Sequence, residues 1–397
     1  MFDAKKHARP EYDVDIYSDE AILRPYGHYR EIRERGPAVW LPRNTLWAIG
    51  RHADVVAALA ANDVLISGNG VAANDMVNAI ANNNILSTDE PKHGKLRKVI
   101  AAPVMPRGLA AVKDRIVATA DETVAGLVSR DGFDGMRDLA QILPLTVVSE
   151  LLGLPESGRL SMLRWAAASF DALGGVNDRC ESAFPTILEL REFCNNGATR
   201  DAVTPGSWVA GLYDAADAGL IEPSLVPQFT RDYIAPSLDT TIFATGHLMY
   251  HLGRNPDQWQ ALRDSPSLIA NAINEAVRIE APIRGFTRFA AQNYGVDGTV
   301  IPAGDRVLIL YASANRDERR WENPERFDVH RRVLTDHVGF GHGVHQCMGM
   351  QLARLEMRAI LQAMIERVAR IEVGEPVFEI NNVLRGYQQL PMRFVAG

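Results

Sequence analysis

The stretch Phe340-Gly341-His342-Gly343-Val344-His345-Gln346-Cys347-Met348-Gly349 decides the fold of this chain. It is a glycine-rich loop that brings one cysteine to the start of an apolar helix beginning near Gln351. A thiolate at that position faces unpaired helix N–H groups and the positive end of the helix dipole, which lower its pKa and favour a bond to a soft metal. The sequence therefore predicts that Cys347 is a metal ligand.

This loop resembles the haem loop of the cytochrome P-450 monooxygenases, Phe-x-x-Gly-x-(His/Arg)-x-Cys-x-Gly. Phe340, Gly343, His345, Cys347 and Gly349 match it position for position. The resemblance implies haem b as cofactor, with Cys347 as the axial iron ligand and with Phe340 and Gly349 beside the haem. A cysteine thiolate on haem iron favours cleavage of the O–O bond. The alternative is a buried structural cysteine that follows a turn.

Composition indicates an ordinary globular protein. The 397 residues carry a net charge of −7, which argues against general nucleic-acid binding. The segment Met1 to Glu20 is polar, and no apolar stretch reaches the roughly 18 residues of a membrane span. Three cysteines form no disulfide framework, as expected in a reducing cytoplasm. Without a visible linker, we expect one domain over residues 1–397 and no membrane partner.

Apolar periodicity predicts a mainly helical fold with small β-sheets, and the resemblance implies the P-450 fold. Residues 108–128 and 228–252 carry apolar residues at helical spacing. The segment Asn62 to Ser87 lacks clear periodicity and reads as a long loop, which in the resembling family roofs the substrate. Short strands are expected at Ala38–Leu41 and Thr45–Ala48, forming a hairpin, at Arg306–Leu310 and at Met392–Val395.

Two further motifs match the family. Glu275 and Arg278 lie three residues apart on a predicted helix and can form an ion pair. The resemblance implies that Arg326, in Asn-Pro-Glu-Arg-Phe, joins them in a structural ion-pair core.

Four cations are expected to bind the haem propionates, since guanidinium groups suit carboxylates. His93 and Arg97 match the family's His-x-x-x-Arg pattern, and Arg288 and His345 complete the set. For any one of them an ordinary surface cation is the alternative.

Asp239-Thr240 resembles the family's acid–alcohol pair, in which a hydroxyl holds the distal oxygen and a carboxylate relays protons. The chain departs from the family just before it, with Pro236-Ser237 in place of Ala/Gly-Gly. Proline removes one helical N–H and breaks the helix there, so that the carbonyl of Asp232 loses its partner.

Electrons are expected to come from separate proteins. The glycines near Gly341 do not form a dinucleotide fingerprint, because Val344 occupies the third glycine position. The resemblance implies NAD(P)H acting through a ferredoxin and its reductase. A basic surface on the cysteine side could steer such a partner; its members are Lys92, Lys95, Lys98, Arg107, Lys113, Arg316, Arg319, Arg320, Arg331 and Arg332.

The resemblance implies a monooxygenase that uses dioxygen to hydroxylate or O-demethylate a small aromatic substrate, in electron-transfer-dependent aromatic catabolism. Two alternatives stay open. A haem-binding sensor or carrier needs Cys347 but not Asp239-Thr240. A peroxide-driven peroxygenase tends to replace that pair, so its presence argues against this alternative.

The chain is similar to the bacterial branch that O-demethylates methoxy-aromatics, notably at 313–317, 337–341 and 384–391. No cation lies in the loop Ile66 to Gly70, whereas Asp232 offers a carboxylate, so a neutral guaiacol-type phenol is favoured over a benzoate. Arg284 would reverse this preference if it turned inward. The candidate pocket residues, each equally consistent with core packing, are Asn69, Val71, Phe170, Leu173, Asp232, Ile283, Arg284 and Phe286.

Overall fold

The computed structural model describes residues 9–80, 84–332 and 334–397. The polar segment Met1 to Glu20 and the loop Asn62 to Ser87 therefore lie partly outside the described residues. The helices are α1 Asp19–Leu23, α2 Pro25–Arg35, α3 His52–Ala60, α4 Asp75–Ile80, α5 Lys92–Ile100, α6 Pro106–Leu109, α7 Lys113–Val128, α8 Ser149–Leu152, α9 Glu156–Ala172, α10 Asp178–Glu192, α11 Trp208–Asp217, α12 Val226–Ile234, α13 Asp239–Arg254, α14 Pro256–Asp264, α15 Ile269–Ile279, α16 Tyr311–Ala314 and α17 Met350–Ile365. The strands are β1 Val39–Leu41, β2 Leu46–Ile49, β3 Leu65–Ile66, β4 Phe133–Asp134, β5 Phe286–Ala290, β6 Tyr294–Val296, β7 Thr299–Ile301, β8 Arg306–Ile309, β9 Val368–Val373, β10 Val377–Phe378, β11 Tyr387–Gln389 and β12 Pro391–Ala396.

Helix α13 lies at the centre of the fold. Its residues are buried almost continuously from Thr241 to Met249, as expected for a helix enclosed on every side. It packs against α9, α15 and strand β9, while α17 packs against α7 and α15. This arrangement leaves the start of α13 close to the loop that precedes α17, so the acid–alcohol pair and Cys347 belong to one region.

The larger sheet has the strand order β1-β2-β8-β5-β3. The predicted hairpin is confirmed: Val39 to Leu41 pairs antiparallel with Leu46 to Ala48. The strands predicted at 306–310 and 392–395 are also confirmed, as β8 and β12. The fold is therefore mainly α with small β-sheets, as predicted, and among the described residues no helix is both long and apolar enough to span a membrane.

The predicted helix at 228–252 is two helices. Helix α12 ends at Ile234 and α13 begins at Asp239. The break falls at Pro236, as its missing N–H predicts. The long loop predicted over 62–87 contains two short elements, β3 and α4, which the sequence did not predict. Their two and six residues are too few to show a clear period.

Candidate active site

The loop that carries Cys347 is closed by a hydrogen bond from the Cys347 amide to the carbonyl oxygen of Phe340, at 2.8 Å. Gly341 and Gly343 both have φ near 71°, a left-handed conformation that favours glycine. A side chain on Gly343 would also press on the backbone oxygen of Leu59. The sequence of glycines thus fixes a tight loop that ends where α17 begins.

The sulfur of Cys347 is accessible because it faces a cavity, although protein surrounds it elsewhere. The N–H groups of Gly349 and Met350 point at it, as predicted. The predicted lowering of its pKa was nevertheless wrong. Burial raises the pKa of the Cys347 thiol more than these N–H groups and Arg97 lower it. A bound iron cation would favour the thiolate and oppose this effect of burial.

The cavity has a volume of about 380 Å³, within the range of small-molecule and cofactor sites. The loop around Cys347 forms one part of its wall, and α9, α10, the α12–α13 junction and β5 form other parts. Thr240 lines it, as do Phe340 and Gly349. The structure thus brings the cysteine and the alcohol of the acid–alcohol pair to a single space.

Three of the four cations expected to hold propionates meet at this cavity. Arg97, Arg288 and His345 line it, and the buried His93 packs on the His345 ring with centroids 4.3 Å apart. Among the described residues, neither arginine has a carboxylate within salt-bridge distance; Arg97 donates to the carbonyl of Gln346 and Arg288 to that of Thr287.

The two imidazoles of this set lie beside the arginines. The Nε2 atom of His93 is buried, and no described residue forms a hydrogen bond with it. Burial lowers the pKa of His345 to about 3, with Arg288, His93 and Arg97 acting in the same direction. The guanidinium groups of Arg97 and Arg288, which have no acidic partner in the described chain, fit the two propionates of a haem that Cys347 would bind, and the neutral His345 ring could add a hydrogen bond. His93 is paired with Glu90, with His93 Nδ1 and Glu90 Oε1 3.2 Å apart.

Asp239 and Thr240 stand at the first turn of α13 but face different surroundings. The Thr240 hydroxyl donates to the carbonyl oxygen of Pro236 at 2.9 Å. Asp239 is buried and does not line the cavity, and its Oδ2 atom has no hydrogen-bond partner in the described ranges. Burial and, to a smaller extent, the charge of Glu379 raise the pKa of Asp239 to about 7. A carboxyl group with this pKa can give and take protons near neutrality.

The predicted ion-pair core exists, with one member exchanged. Arg278 donates to both carboxylate oxygens of Glu275, at 2.7 and 2.8 Å, and both side chains are fully buried. The prediction that Arg326 completes the core was wrong. Arg331 donates to Glu275 at 3.0 Å, while Arg326 supplies its backbone carbonyl to both arginines. The turn at 323–328 directs the Arg326 side chain into solvent.

Six predicted pocket residues line the cavity, and their contact with a substrate stays a prediction: Val71, Phe170, Leu173, Asp232, Ile283 and Phe286. Asn69 and Arg284 do not, so these two predictions were wrong. Asn69 is exposed because Asp89 accepts the amides of Ser67 and Gly68 and turns the loop outward. Arg284 is buried against the N-terminal segment, where it donates to Asn382 and Ile16 carbonyls.

Two cations were missed from the sequence. Arg191 on α10 and Arg231 on α12 line the cavity, and no hydrogen bond or ion pair of either side chain is seen among the residues described. Asp232, next to Arg231, accepts the amide of Ile85 at 2.8 Å, and burial raises its pKa to about 7. The position of Arg231 beside a predicted pocket residue was a signal that could have identified it.

The basic surface divides into two parts. Lys92, Lys95, Lys98, Arg107 and Lys113 are exposed and without carboxylate partners in the described chain. The second part was expected to attract a partner, but ion pairs neutralise most of it: Arg316 binds Glu280 and Glu325, Arg319 binds Asp317 and Glu318, Arg320 binds Asp336, and Arg331 binds Glu275.

A mainly helical fold with a loop cysteine facing a cation-rimmed cavity defines a haem-thiolate protein. Residues 228–371 match the family model described as Cytochrome P450. The chain is 34% identical to cytochrome P450 CYP199A2 of Rhodopseudomonas palustris, covering 97% of this chain and 94% of the relative. It is 33% identical to the cytochrome P450 monooxygenase PikC of Streptomyces venezuelae, covering 98% and 95%.

The fold agrees with these similarities. Mycobacterium marinum cytochrome P450 CYP268A2, solved with pseudoionone, matches with a TM-score of 0.86 and 28% identity, covering 98% of this chain and all of that one. The chain belongs to the cytochrome P450 family. It is a P450 monooxygenase with haem b as cofactor, and NAD(P)H supplies its electrons through redox partners. This sets aside a sensor or carrier without turnover.

Proposed function

We propose that this monooxygenase O-demethylates a small methoxy-aromatic compound, giving a phenol and formaldehyde. The observation that carries the proposal is that one cavity is lined by the haem-loop cysteine, an alcohol, aromatic rings and charged groups, among them Cys347, Thr240, Phe170, Phe286, Arg191, Arg231 and Asp232. When bound, the haem supplies the reductive activation of dioxygen and the transfer of one oxygen atom to a C–H bond. Phe170 and Phe286 would hold the substrate ring by apolar contact.

The chain's own residues would manage protons and orientation. Thr240 is positioned to hold a hydrogen bond in the cavity while its oxygen remains anchored to Pro236. Asp239 would supply protons from the protein side. Arg97, Arg288, His93 and His345 would hold the propionates and so fix the cofactor plane. Cys347 would bind the iron as a thiolate.

The charges in the cavity favour a carboxylate on the substrate ring. The sequence-based preference for a neutral phenol assumed that only Arg284 could supply a cation. Arg191 and Arg231 line the cavity, and among the residues that the structure describes neither forms an ion pair. The neighbouring Asp232 is largely protonated below about pH 7 because burial raises its pKa. A substrate carboxylate would pair with these guanidinium groups, whose desolvation is otherwise uncompensated.

A guaiacol-type phenol is the second candidate, because one observation favours it. Asp232 lines the cavity and, within the described part of the chain, its carboxyl group accepts only the Ile85 amide, so it retains capacity for a phenol hydroxyl. A benzoate would place its carboxylate at Arg231, and a phenol would place its hydroxyl at the adjacent Asp232. Substitution of each residue therefore distinguishes the two substrates.

Titration of the haem-loaded protein decides between them. We expect 4-methoxybenzoate to shift the Soret band at lower concentration than guaiacol, and Arg231→Ala to abolish that shift. The surface variant Arg159→Ala is the matched control. Tight guaiacol binding that is lost in Asp232→Asn and kept in Arg231→Ala would instead establish the phenol. Product that forms only with NAD(P)H and redox proteins indicates a monooxygenase. Product that forms with peroxide alone indicates a peroxygenase.

For the electron donor we propose an acidic ferredoxin with its reductase, docking on the exposed cations at 92–113. Four of the chain's six lysines lie in this segment. A groove of about 470 Å³ beside them is lined by Pro106, Leu109, Lys113, Arg354 and Arg358. Lys113→Glu should slow electron transfer and flatten its salt dependence, because steering between exposed charges is screened by salt.

We further propose that residues 1–397 act as one domain in the cytoplasm. Residues from Val71 to Ala353 line the same cavity, which supports a single cooperative unit. One calorimetric transition for the haem-loaded protein would agree with it, and two resolved transitions would contradict it.

A further inference from the structure

The buried carboxyl group of Asp239 has no basic partner. Its Oδ2 atom accepts no hydrogen bond, and no arginine, lysine or histidine lies within salt-bridge distance among the residues described. The charged group that acts on it most is another carboxyl group, that of Glu379. A buried acid beside a second acid retains its proton more readily than an acid in an ion pair.

The contacts of α13 show how Glu379 comes to this position. Asp239, Phe243 and His247 follow one another at four-residue spacing on one face of α13. The Phe243 ring packs directly on Gly386, where a Cβ atom would overlap it. The next turn continues the contact, because the rings of His247 and Tyr387 meet edge to face with centroids 4.9 Å apart.

Glu379 is joined to that contact by the backbone. Its amide donates to the carbonyl oxygen of Gly386 at 3.0 Å, in the hairpin formed by β10 and β11. The hairpin therefore lies along the face of α13 that begins with Asp239, and Glu379 follows β10 directly. The side chain is half-buried, and no ion pair or hydrogen bond of its carboxylate is seen in the described part of the chain. The Glu379 carboxylate is therefore neither part of a structural ion pair in the described chain nor fully exposed.

The third element packed here is α9, which contributes Asp171. Its carboxylate accepts the Asn382 amide at 2.8 Å, and burial raises its pKa to about 6, while Arg179 lowers it. Burial also raises the pKa of Glu379. Arg179 is itself occupied by Asp19 and the Tyr17 carbonyl. Carboxyl groups with raised pKa values, one of them reaching solvent, can pass protons inward at neutral pH.

We propose that Glu379 is the solvent-side member of a two-carboxyl proton path that reprotonates Asp239. Each proton that Asp239 gives toward Thr240 is replaced by one from Glu379 through hydrogen-bonded water, and Glu379 recovers its proton from solvent. Only O–H bonds form and break, and no electrons move. Glu379 acts through Asp239 and is a positioning residue for proton supply; this inference rests on the proposed monooxygenase role of Asp239-Thr240.

The first test needs no turnover. In the haem-loaded protein, the infrared band of the protonated Asp239 carboxyl is assigned by its loss in Asp239→Asn and titrated with pH. Glu379→Gln should shift the titration of this band to lower pH, because a neighbouring negative charge is removed. The control Glu375→Gln, at an exposed position in the preceding loop, should leave it unchanged.

The second test measures proton supply. Glu379→Gln should lower coupled turnover about tenfold, less than the loss of a general acid itself, and raise the solvent deuterium isotope effect. Glu379→Asp should restore both. An unshifted Asp239 band, or a shifted band with an unchanged isotope effect, overturns the proposal. If no aromatic substrate is turned over, the infrared shift and the isotope effect on substrate-free NAD(P)H oxidation still test the Glu379 proton path. Failure of the proposed O-demethylation is therefore distinguishable from failure of the proton path.

Discussion

The hydroxyl of Thr240 donates to the carbonyl oxygen of Pro236 at 2.9 Å across the break between α12 and α13. Pro236 ends the regular hydrogen bonding of the helix because it has no N–H. Pro236 lies within that break, and its own carbonyl anchors the Thr240 hydroxyl at the cavity wall. The proline thus provides a kinked helix with an anchored alcohol, even though this sequence lacks the small residues expected there.

Thr240→Ala should separate oxygen consumption from product formation. Without the hydroxyl we expect product per NAD(P)H to fall about tenfold, with the electrons recovered as peroxide, because controlled proton delivery is lost. Ser237→Ala is the matched control, since the Ser237 hydroxyl already donates to the Tyr233 carbonyl and is not free to substitute. Coupling that is unchanged in Thr240→Ala would exclude the role.

Cys347→Ala should remove the red-shifted Soret band that a reduced, carbon-monoxide-bound thiolate haem shows. The reason is that this sulfur alone, among the three cysteines, faces the cavity. Cys194→Ala changes a buried cysteine elsewhere and should keep the band. A normal band in Cys347→Ala would assign the ligand to another residue.

The affinity for a benzoate should fall as pH rises through about 7. Burial raises the pKa of Asp232 to about 7, so this carboxyl is neutral below that pH and negative above it. A negative Asp232 repels a substrate carboxylate held by Arg231. Asp232→Asn should flatten the pH profile of the dissociation constant. A profile that is equally steep in the variant would show that another group titrates.

Arg331→Ala and Arg326→Ala distinguish the two candidate members of the ion-pair core. Removing Arg331 leaves the fully buried Glu275 with one partner fewer, which should lower the free energy of unfolding by about 3 kcal/mol. Arg326 is exposed and contributes only its backbone carbonyl, so its side chain should matter by less than about 0.5 kcal/mol. Denaturant unfolding measures both, and equal losses would contradict this assignment.

Glu356 on α17 should make stability depend on pH. Both carboxylate oxygens of Glu356 are buried with no hydrogen-bond partner among the described residues, and burial raises the pKa of this group to about 8. Between about pH 4.5 and pH 8 the unfolded chain has released this proton and the folded chain retains it, so stability falls as pH rises, by about 3 kcal/mol at pH 7. Glu356→Gln should remove this part of the slope, and Glu366→Gln, which is exposed, should not. Equal slopes in wild type and Glu356→Gln would refute it.

Local sequence determined much of this protein. Glycines that tolerate positive φ fixed the loop before Cys347, and the missing N–H of Pro236 fixed the helix break. The hairpin at 39–49 followed from two short apolar strands around a turn. In each of these cases the cause lies within a few residues of the effect, so pattern alone is sufficient.

Tertiary structure decided which side chains meet. Arg331 rather than Arg326 reaches Glu275, and Arg284 turns toward the N-terminal segment, whereas Arg231 turns to the cavity. Each outcome depends on how elements far apart in sequence pack, and a long side chain can point to either of two surroundings at little cost in local energy. The same packing brings Glu379 to α13, and burial by distant residues, absent from any local pattern, raises the pKa of Cys347 and Asp239.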